Sequence, residues 1–447
     1  MSVAEAPGRQ LELSSGGGMQ VRILRGAHEI GGSCVEIEYR GSRIVLDVGK
    51  PLGAGWDEVV PLPGVPGLAD GSDPALGGVV ISHPHLDHYG LIGQVDPRTP
   101  NYIGREASKL LAASAFFSAA GMEIHPSGFL RDRVPLSIGA FVVTPYLMDH
   151  SGYDSYALLV EAVGQTLFYT GDIRGHGRKA RLFEKLLADP PRSVDALLCE
   201  GTHIHGQKAG PVELGSDQTR SEQDVELSLA QRMKETLGAV CVASSAQNID
   251  RLVSVYRASK RAGRILVTDL YAASIATSIG RSTIPQPGFE DYRVYVPNRQ
   301  RVLVKTSGEF DRMDVVRRVR VFTGWLAEHK SEITLLQTSS TVSELLRGGV
   351  LADGLVAWSM WPGYLKDPSG VRLRASLEAA GVPLVLDHAS GHASVPDLQR
   401  LVAALNPRLV VPIHTEGAAR YAELFGGVEV RDDGEWWDVR QASVDPG

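Results

Sequence analysis

Three histidines and one aspartate crowd into six residues of the segment Ile81-Ser82-His83-Pro84-His85-Leu86-Asp87-His88-Tyr89-Gly90. An apolar run over 78–81 leads into it, so the first polar side chains emerge where an expected strand runs out, the usual place for function. His83 and His85 lie two apart in an extended stretch, project to the same side and can share one cation. Asp87 and His88 follow a change of direction and can face a second cation. The plain alternative, a surface loop that happens to be rich in histidine, needs four donor side chains to coincide by chance. A dinuclear centre takes about seven or eight donors and one bridging carboxylate, so the fold must bring distant residues to this loop.

Four segments supply them, each with an acid or an imidazole at the end of an apolar strand. Asp47 follows Ile44-Val45-Leu46, His150 lies in Met148-Asp149-His150-Ser151, Asp172 follows Leu167-Phe168-Tyr169-Thr170-Gly171, and His414 follows Val410-Val411-Pro412-Ile413. Singly, each reads as well as a turn former or a helix cap. Together they complete a two-metal site, with Asp172 as the bridge.

The rest of the chain allows such a fold. Its 447 residues, 43% hydrophobic and 22% charged, are too many for one small core and suggest two or three domains. No window approaches the roughly 18 apolar residues of a membrane span, and the start lacks the basic and apolar parts of a secretion signal, so a soluble cytoplasmic protein with no membrane partner is expected. Cys34, Cys199 and Cys241 are odd in number and widely spaced, which indicates buried thiols and neither a disulfide framework nor a cysteine-based zinc site. A net charge of −7 argues against a protein that coats nucleic acid non-specifically.

Residues 1–18 read as a flexible leader ending in three glycines. From 19 to 205, short strands are expected at 20–24, 34–39, 43–46, 78–82, 141–145, 156–160, 166–170 and 196–199, with helices at 105–120 and 179–187. That proportion suits sheets packed face to face with helices outside. The texture then changes. Ser221 caps an expected helix with apolar positions Val225, Leu229, Met233 and Leu237, and a strand at 239–243, a helix at 247–260 and a strand at 264–268 read as a βαβ unit. A helix at 313–329 and strands at 333–337 and 355–359 continue the pattern, so 206–385 reads as a separate parallel α/β domain. The end, with strand-rich runs at 382–387, 409–413 and 428–439, returns to the earlier style, and 386–447 is taken as the second part of a domain split by an insertion.

The His-Pro-His-Leu-Asp-His stretch, with the Asp47, His150 and Asp172 segments, resembles the metallo-β-lactamase fold superfamily. Leu198-Cys199-Glu200-Gly201-Thr202, Ser390-Gly391-His392-Ala393-Ser394 and Pro412-Ile413-His414-Thr415-Glu416 resemble the three extra motifs of the β-CASP nucleases. Residues 28–32, 171–178 and 245–251 are similar to segments of the bacterial RNase J branch. The resemblance implies an α/β protein, an αββα sandwich with an inserted parallel α/β β-CASP domain. It implies two divalent cations, Zn²⁺ with Mn²⁺ as the alternative, one held by His83, His85 and His150 and the other by Asp87, His88 and His414, with Asp172 between them. By the same resemblance Asp47 orients the ligands without binding metal. Glu200 and His392 protonate the leaving oxygen and count as catalytic together with Asp87, while Ser390, Gly391 and Ser394 offer donors to a phosphate. The implied activity is hydrolysis of single-stranded RNA, 5′-to-3′ exonucleolytic with endonucleolytic cleavage as a further mode. Rival readings are a DNA nuclease, a hydrolase of a small phosphodiester, and a non-catalytic RNA-binding scaffold, which would have no need of the ligand set.

The chain also departs from that branch. Where the branch carries a Gly-Ser-Gln-Gly-Glu-type loop for the 5′ phosphate, this sequence has Gln337-Thr338-Ser339-Ser340-Thr341-Val342-Ser343. It ends soon after Glu435-Trp436-Trp437, so no further C-terminal domain is expected, and the oligomeric state stays open, a homodimer included. Arg174, Arg178, Lys179 and Arg181, and the cluster Arg317, Arg318 and Arg320, are either nucleic-acid contacts or solvated helix faces. Trp358 and Trp361 either stack on a base or pack in the core.

Overall fold

The computed structural model describes residues 17–55, 58–118, 121–205 and 220–440. Most of the expected leader and the start of the expected insertion, 206–219, lie outside the described residues.

Alternation of apolar side chains builds the first two layers. Along the strand Ser42–Leu46, Ile44 and Leu46 point into a core shared with a second sheet, while Val45 points the other way, toward the helix Arg105–Ala115. The strand Gln165–Tyr169 mirrors this. Leu167 and Tyr169 face the shared core, and Phe168 packs outward with Phe183 and Leu186 of the helix Ala180–Ala188 and Leu398 and Leu401 of the helix Val395–Leu405. Two sheets with helices on both outer faces give the expected αββα sandwich.

The first sheet runs Trp437–Asp438, Gln20–Arg25, Cys34–Tyr39, Ser42–Leu46, Leu76–Val80, Asn101–Gly104, Gly128–Leu130. The second runs Leu409–Ile413, Ala196–Glu200, Gln165–Tyr169, Ser155–Ala162, Phe141–Met148, Leu136–Ile138. In the second sheet the first three strands are mutually parallel, so their carboxyl ends, which lead to Asp172, Glu200 and His414, open at one edge.

A third sheet, ordered Arg320–Val321, Tyr292–Tyr295, Ile265–Asp269, Ile333–Gln337, Val240–Ala243, Leu355–Trp358, Leu384–Leu386, is parallel throughout. Its strands are apolar on both faces, as sheets covered by helices on both sides must be. It does not stand apart: one continuous core joins Val240, Leu252 and Ile275 of this layer to Val45, Leu110 and Tyr89 of the sandwich.

Four local expectations change. The strands around the helix Ile249–Arg261 are parallel and in one sheet, but Ile333–Gln337 lies between them. The expected helix at 313–329 is a 3₁₀ turn Phe310–Val316, a two-residue strand Arg320–Val321 and a short helix Thr323–Glu328, because its buried residues Val316, Val321 and Leu326 recur every five positions, off the helical period, and the open sheet edge recruits Arg320 and Val321. Leu237 lies past the end of the helix Glu222–Glu235 and is exposed. Between 428 and 439 only Trp437–Asp438 is a strand, with Val428 making a lone bridge to Val410, since Asp432-Asp433-Gly434 turns the chain. All three cysteines are buried and free.

Candidate metal centre

Ser82 and His83 follow the buried end of the strand Leu76–Val80 after one further apolar residue, Ile81, and the short helix Leu86–Tyr89 carries Asp87 and His88. Gly49, in the loop after the strand Ser42–Leu46, lets that loop touch the helix: a Cβ there would run into the Asp87 carbonyl. Asp47 and His414 each directly follow a strand with left-handed φ angles of 58° and 55°, a conformation that re-aims the side chain toward the sheet edge and that Asp and His tolerate better than most residues.

The distant donors do converge. One donor atom each from His83, His85, His150 and Asp172 lie within 4.8 Å of one another, and so do donor atoms of Asp87, His88, Asp172 and His414. Asp172 belongs to both groups, its Oδ2 standing 3.5 Å from His83 Nε2 and 3.3 Å from His88 Nε2, and its Oδ1 3.8 Å from His414 Nε2. His150 Nε2 lies 3.1 Å from His85 Nδ1. His83 Nε2, His88 Nε2, His414 Nε2 and both Asp172 oxygens are buried and find no hydrogen-bond partner among the described residues. Each such atom costs about 1–3 kcal/mol unless something else satisfies it, and a cation is what three imidazole nitrogens and a carboxylate in common can satisfy. The residues present therefore fit two divalent ions.

The outer contacts fix which ring nitrogens are free. His150 donates from Nδ1 to the Gly391 carbonyl at 2.5 Å, leaving Nε2 for the cluster. Asp47 is fully buried and accepts four bonds at 2.7 Å: Ser82 N–H on Oδ1, and His88 Nδ1–H, Tyr169 O–H and Ser82 O–H on Oδ2. Because the Ser82 hydroxyl proton goes to Asp47, its oxygen accepts from His83 Nδ1 at 3.0 Å. One carboxylate thus sets the tautomer of one imidazole in each group, the arrangement by which outer partners orient metal-binding histidines.

Electrostatics agree with that division for the first group, whereas at His88 burial opposes charging but the Asp172 and Asp47 carboxylates outweigh it and raise the ring well above the ordinary histidine value. Burial holds His83 and His150 well below the ordinary histidine value and His85 down at about 4, with neighbouring imidazoles adding to the effect, so their lone pairs are open near neutral pH. Burial opposes ionisation of Asp172, but the imidazoles around it, His414 first, outweigh this and keep it a carboxylate. Burial also opposes charging of His392, yet Asp172 and Glu200 hold it up at about 9.

Glu200 accepts Ala393 N–H on Oε1 and Thr202 N–H on Oε2, and stands 3.6 Å from His392 Nδ1, which is nearer the Thr202 hydroxyl at 3.0 Å. His392 also stands 3.8 Å from Asp172 Oδ2 and keeps partial exposure, whereas the imidazoles of His83, His88 and His150 have none. Of the expected phosphate donors, the Ser390 hydroxyl accepts His392 N–H and lies 3.0 Å from His203 Nε2, the Gly391 carbonyl holds His150, and the Ser394 hydroxyl caps the helix Val395–Leu405.

Several residues differ from expectation or were missed. Arg174 is fully buried, so it is not a surface contact: it pairs with Asp250 at 2.6 Å, Asp149 at 3.4 Å and Glu222 at 3.5 Å, and donates to the Ser390 carbonyl at 2.8 Å. Lys179 joins Asp250, Arg178 pairs with Glu226, and Arg251 pairs with Glu222 at 3.0 Å. Trp358 is core and Trp361 is 62% exposed. His203 bonds the Ala393 carbonyl at 2.9 Å and was missed, although its place three residues after Glu200 was a usable signal.

Comparison with known proteins points the same way. The pattern of the metallo-beta-lactamase superfamily matches residues 29–232, and that of the Zn-dependent metallo-hydrolase RNA specificity domain matches 385–431. Ribonuclease J of Mycobacterium tuberculosis is 27% identical over 429 residues, covering 89% of this chain and 69% of that protein. Ribonuclease J of Helicobacter pylori is 24% identical over 432 residues, covering 92% of this chain and 58% of that protein. The chain thus spans between somewhat over half and about two thirds of these relatives' length. A crystal structure of a protein of unknown function from Enterococcus faecalis V583 superposes with a TM-score of 0.77 at 21% identity, covering 94% of this chain and all of that one, and shares the fold. The chain has the metallo-β-lactamase fold and is similar, over most of its length, to β-CASP proteins of the ribonuclease J kind.

Proposed function

We propose that the protein is a metal-dependent ribonuclease that hydrolyses phosphodiester bonds of single-stranded RNA, from the 5′ end in its main mode. The observation that carries the reading is the pair of four-donor groups sharing Asp172, with five buried donor atoms left unsatisfied by protein. In this reading His83, His85 and His150 hold one cation, Asp87, His88 and His414 the other, and Asp172 both. When bound, divalent ions, Zn²⁺ by donor chemistry with Mn²⁺ as the alternative, make water a nucleophile near neutral pH and offset charge on the attacked phosphate. Asp47 keeps His83 and His88 in the tautomers that leave Nε2 free. His392, the partly exposed imidazole beside the cluster, gives its proton to the departing ribose oxygen, and Glu200 behind it stabilises the charged ring. The loop with Ser390, Gly391 and Ser394 lies against the phosphate.

The proposal includes the division of the chain, with 19–205 and 386–447 forming the sandwich around an inserted 206–385. It is supported by the draw of strands: the first two sheets use 20–200 and 409–438, the third 240–386. A cytoplasmic location belongs to the same reading, and no described helix is long and apolar enough to cross a membrane.

The test is digestion of end-labelled RNA and matched DNA oligomers bearing different 5′ groups by Zn²⁺- or Mn²⁺-loaded protein, with metal content measured on the same preparation. Asp172→Ala is expected to lose metal and activity together. His392→Ala keeps metal and slows cleavage by about 10² to 10⁴. Cleavage of DNA alone, or no hydrolysis of any nucleic acid by the fully loaded protein, overturns the reading; equal loss of metal in both variants overturns the assigned roles.

A further inference from the structure

The turn after the strand Leu355–Trp358 carries an exposed aromatic pair, Trp361 and Tyr364. Trp358 is buried and donates from Nε1 to the Trp361 carbonyl at 3.3 Å, so the turn hangs on a core residue. Pro362 follows and fixes the backbone as the 3₁₀ turn Pro362–Lys366 begins. The Trp361 ring folds back over Gly363, where any Cβ would collide with its six-membered ring. The Tyr364 ring meets it edge-on, centroids 5.4 Å apart at 89°. Glycine on one side and tyrosine at the edge hold the indole still, yet Trp361 remains 62% and Tyr364 47% exposed. Such exposure wastes a large apolar surface unless something covers it.

Its position says what covers it. One guanidinium, that of Arg251, donates to the Ser359 carbonyl at 2.6 Å and reaches the Ala389 carbonyl at 3.4 Å. The turn carrying Trp361 therefore begins two residues from a point clamped to the entrance of the Ser390–His392 loop.

We propose that Trp361, seated on Gly363 and braced by Tyr364, is a stacking platform for one base of the RNA strand that enters the metal centre. The inference rests on the ribonuclease reading and adds to it a contact with a base. Every base offers a π face, so the platform tolerates sequence and tightens binding next to a centre that acts on the backbone.

The test uses the full-length, metal-loaded protein and a set of RNA oligomers in which a single abasic position is walked along the strand. For the unaltered protein, one abasic position is expected to raise KM roughly 5- to 150-fold, the effect of losing one stacked base. Trp361→Ala is expected to raise KM on intact RNA by a similar factor with little change in kcat, and to abolish the response to that abasic position; Trp361→Phe restores most of both. The circular dichroism of each variant reports whether it has folded, and the phenylalanine variant keeps the test open should the alanine one not fold. An unchanged KM for Trp361→Ala, or a Trp361→Ala protein that still discriminates the abasic position, overturns the inference while leaving the ribonuclease reading intact. If the unaltered protein cuts intact and abasic RNA equally well at every position, the platform is likewise refuted. If it cuts no RNA at all, the underlying reading has failed and the platform falls with it.

Discussion

Replacing Asp47 by asparagine removes one charge and almost no volume, yet four donors converge on this side chain and one of them, the Ser82 backbone N–H, can never accept. An amide has one oxygen. Kept at the Oδ2 position, it still serves His88, Tyr169 and Ser82 Oγ but turns its NH₂ against the Ser82 N–H, a buried donor left without an acceptor at about 1–3 kcal/mol. The other three bonds fall from charge-assisted to neutral strength, about 1 kcal/mol each. Metal-stripped Asp47→Asn should therefore be less stable than the unaltered protein by roughly 4–6 kcal/mol, read from urea titrations. Its affinity for metal should also fall by about 10- to 100-fold, the usual effect of losing an outer partner of a metal-binding histidine. Because His83 depends on Asp47 through Ser82 and His88 depends on it directly, both equivalents of Zn²⁺ should weaken in competition against a chelator. Two equivalents bound within threefold of the unaltered affinity, or only one equivalent weakened, would refute the shared-tautomer argument.

Two further predictions concern groups away from the cations. Arg174→Met removes one charge from a buried cluster in which Arg174, Arg251 and Lys179 balance Asp149, Asp250 and Glu222; stranding a carboxylate there should cost about 3–5 kcal/mol, and a melting temperature equal to that of the unaltered protein would show the cluster to be slack. Burial, against the opposing bonds from Ala272 N–H and Gln300, raises Asp269 to about 6, so its folded form binds a proton more tightly than the unfolded one. The stability this brings is complete below pH 4 and fades as pH rises through 6, so Asp269→Asn, which can still cap its helix, should gain on the unaltered protein by on the order of 1 kcal/mol between pH 5 and 7. A difference that does not vary with pH would contradict it.

The site was more legible in the sequence than the fold around it. Donor residues at the ends of apolar strands announce themselves, because a strand's direction is fixed and its last residue emerges at a predictable edge, as at Asp172 and His414. The strands Asn101–Gly104, Gly128–Leu130 and Leu136–Ile138 went unread, since three or four residues carry too little alternation to register. Arg174 looked like a surface base because a sequence shows charge but not the three carboxylates, from 149, 222 and 250, that enclose it. The left-handed turns at Asp47 and His414 were equally hidden, as neither residue type demands that conformation.

The bond between His150 and the Gly391 carbonyl spans 241 residues. At ordinary translation speeds that distance is roughly 12 to 50 s of synthesis. A nascent chain emerging from the ribosome, itself an RNA machine attached to a messenger, passes this interval with its histidine-rich loop made but its last donors still unmade. Completion of the metal centre then becomes one of the closing events of biogenesis, and on the ribonuclease reading the chain is born inert beside the very class of polymer it acts on.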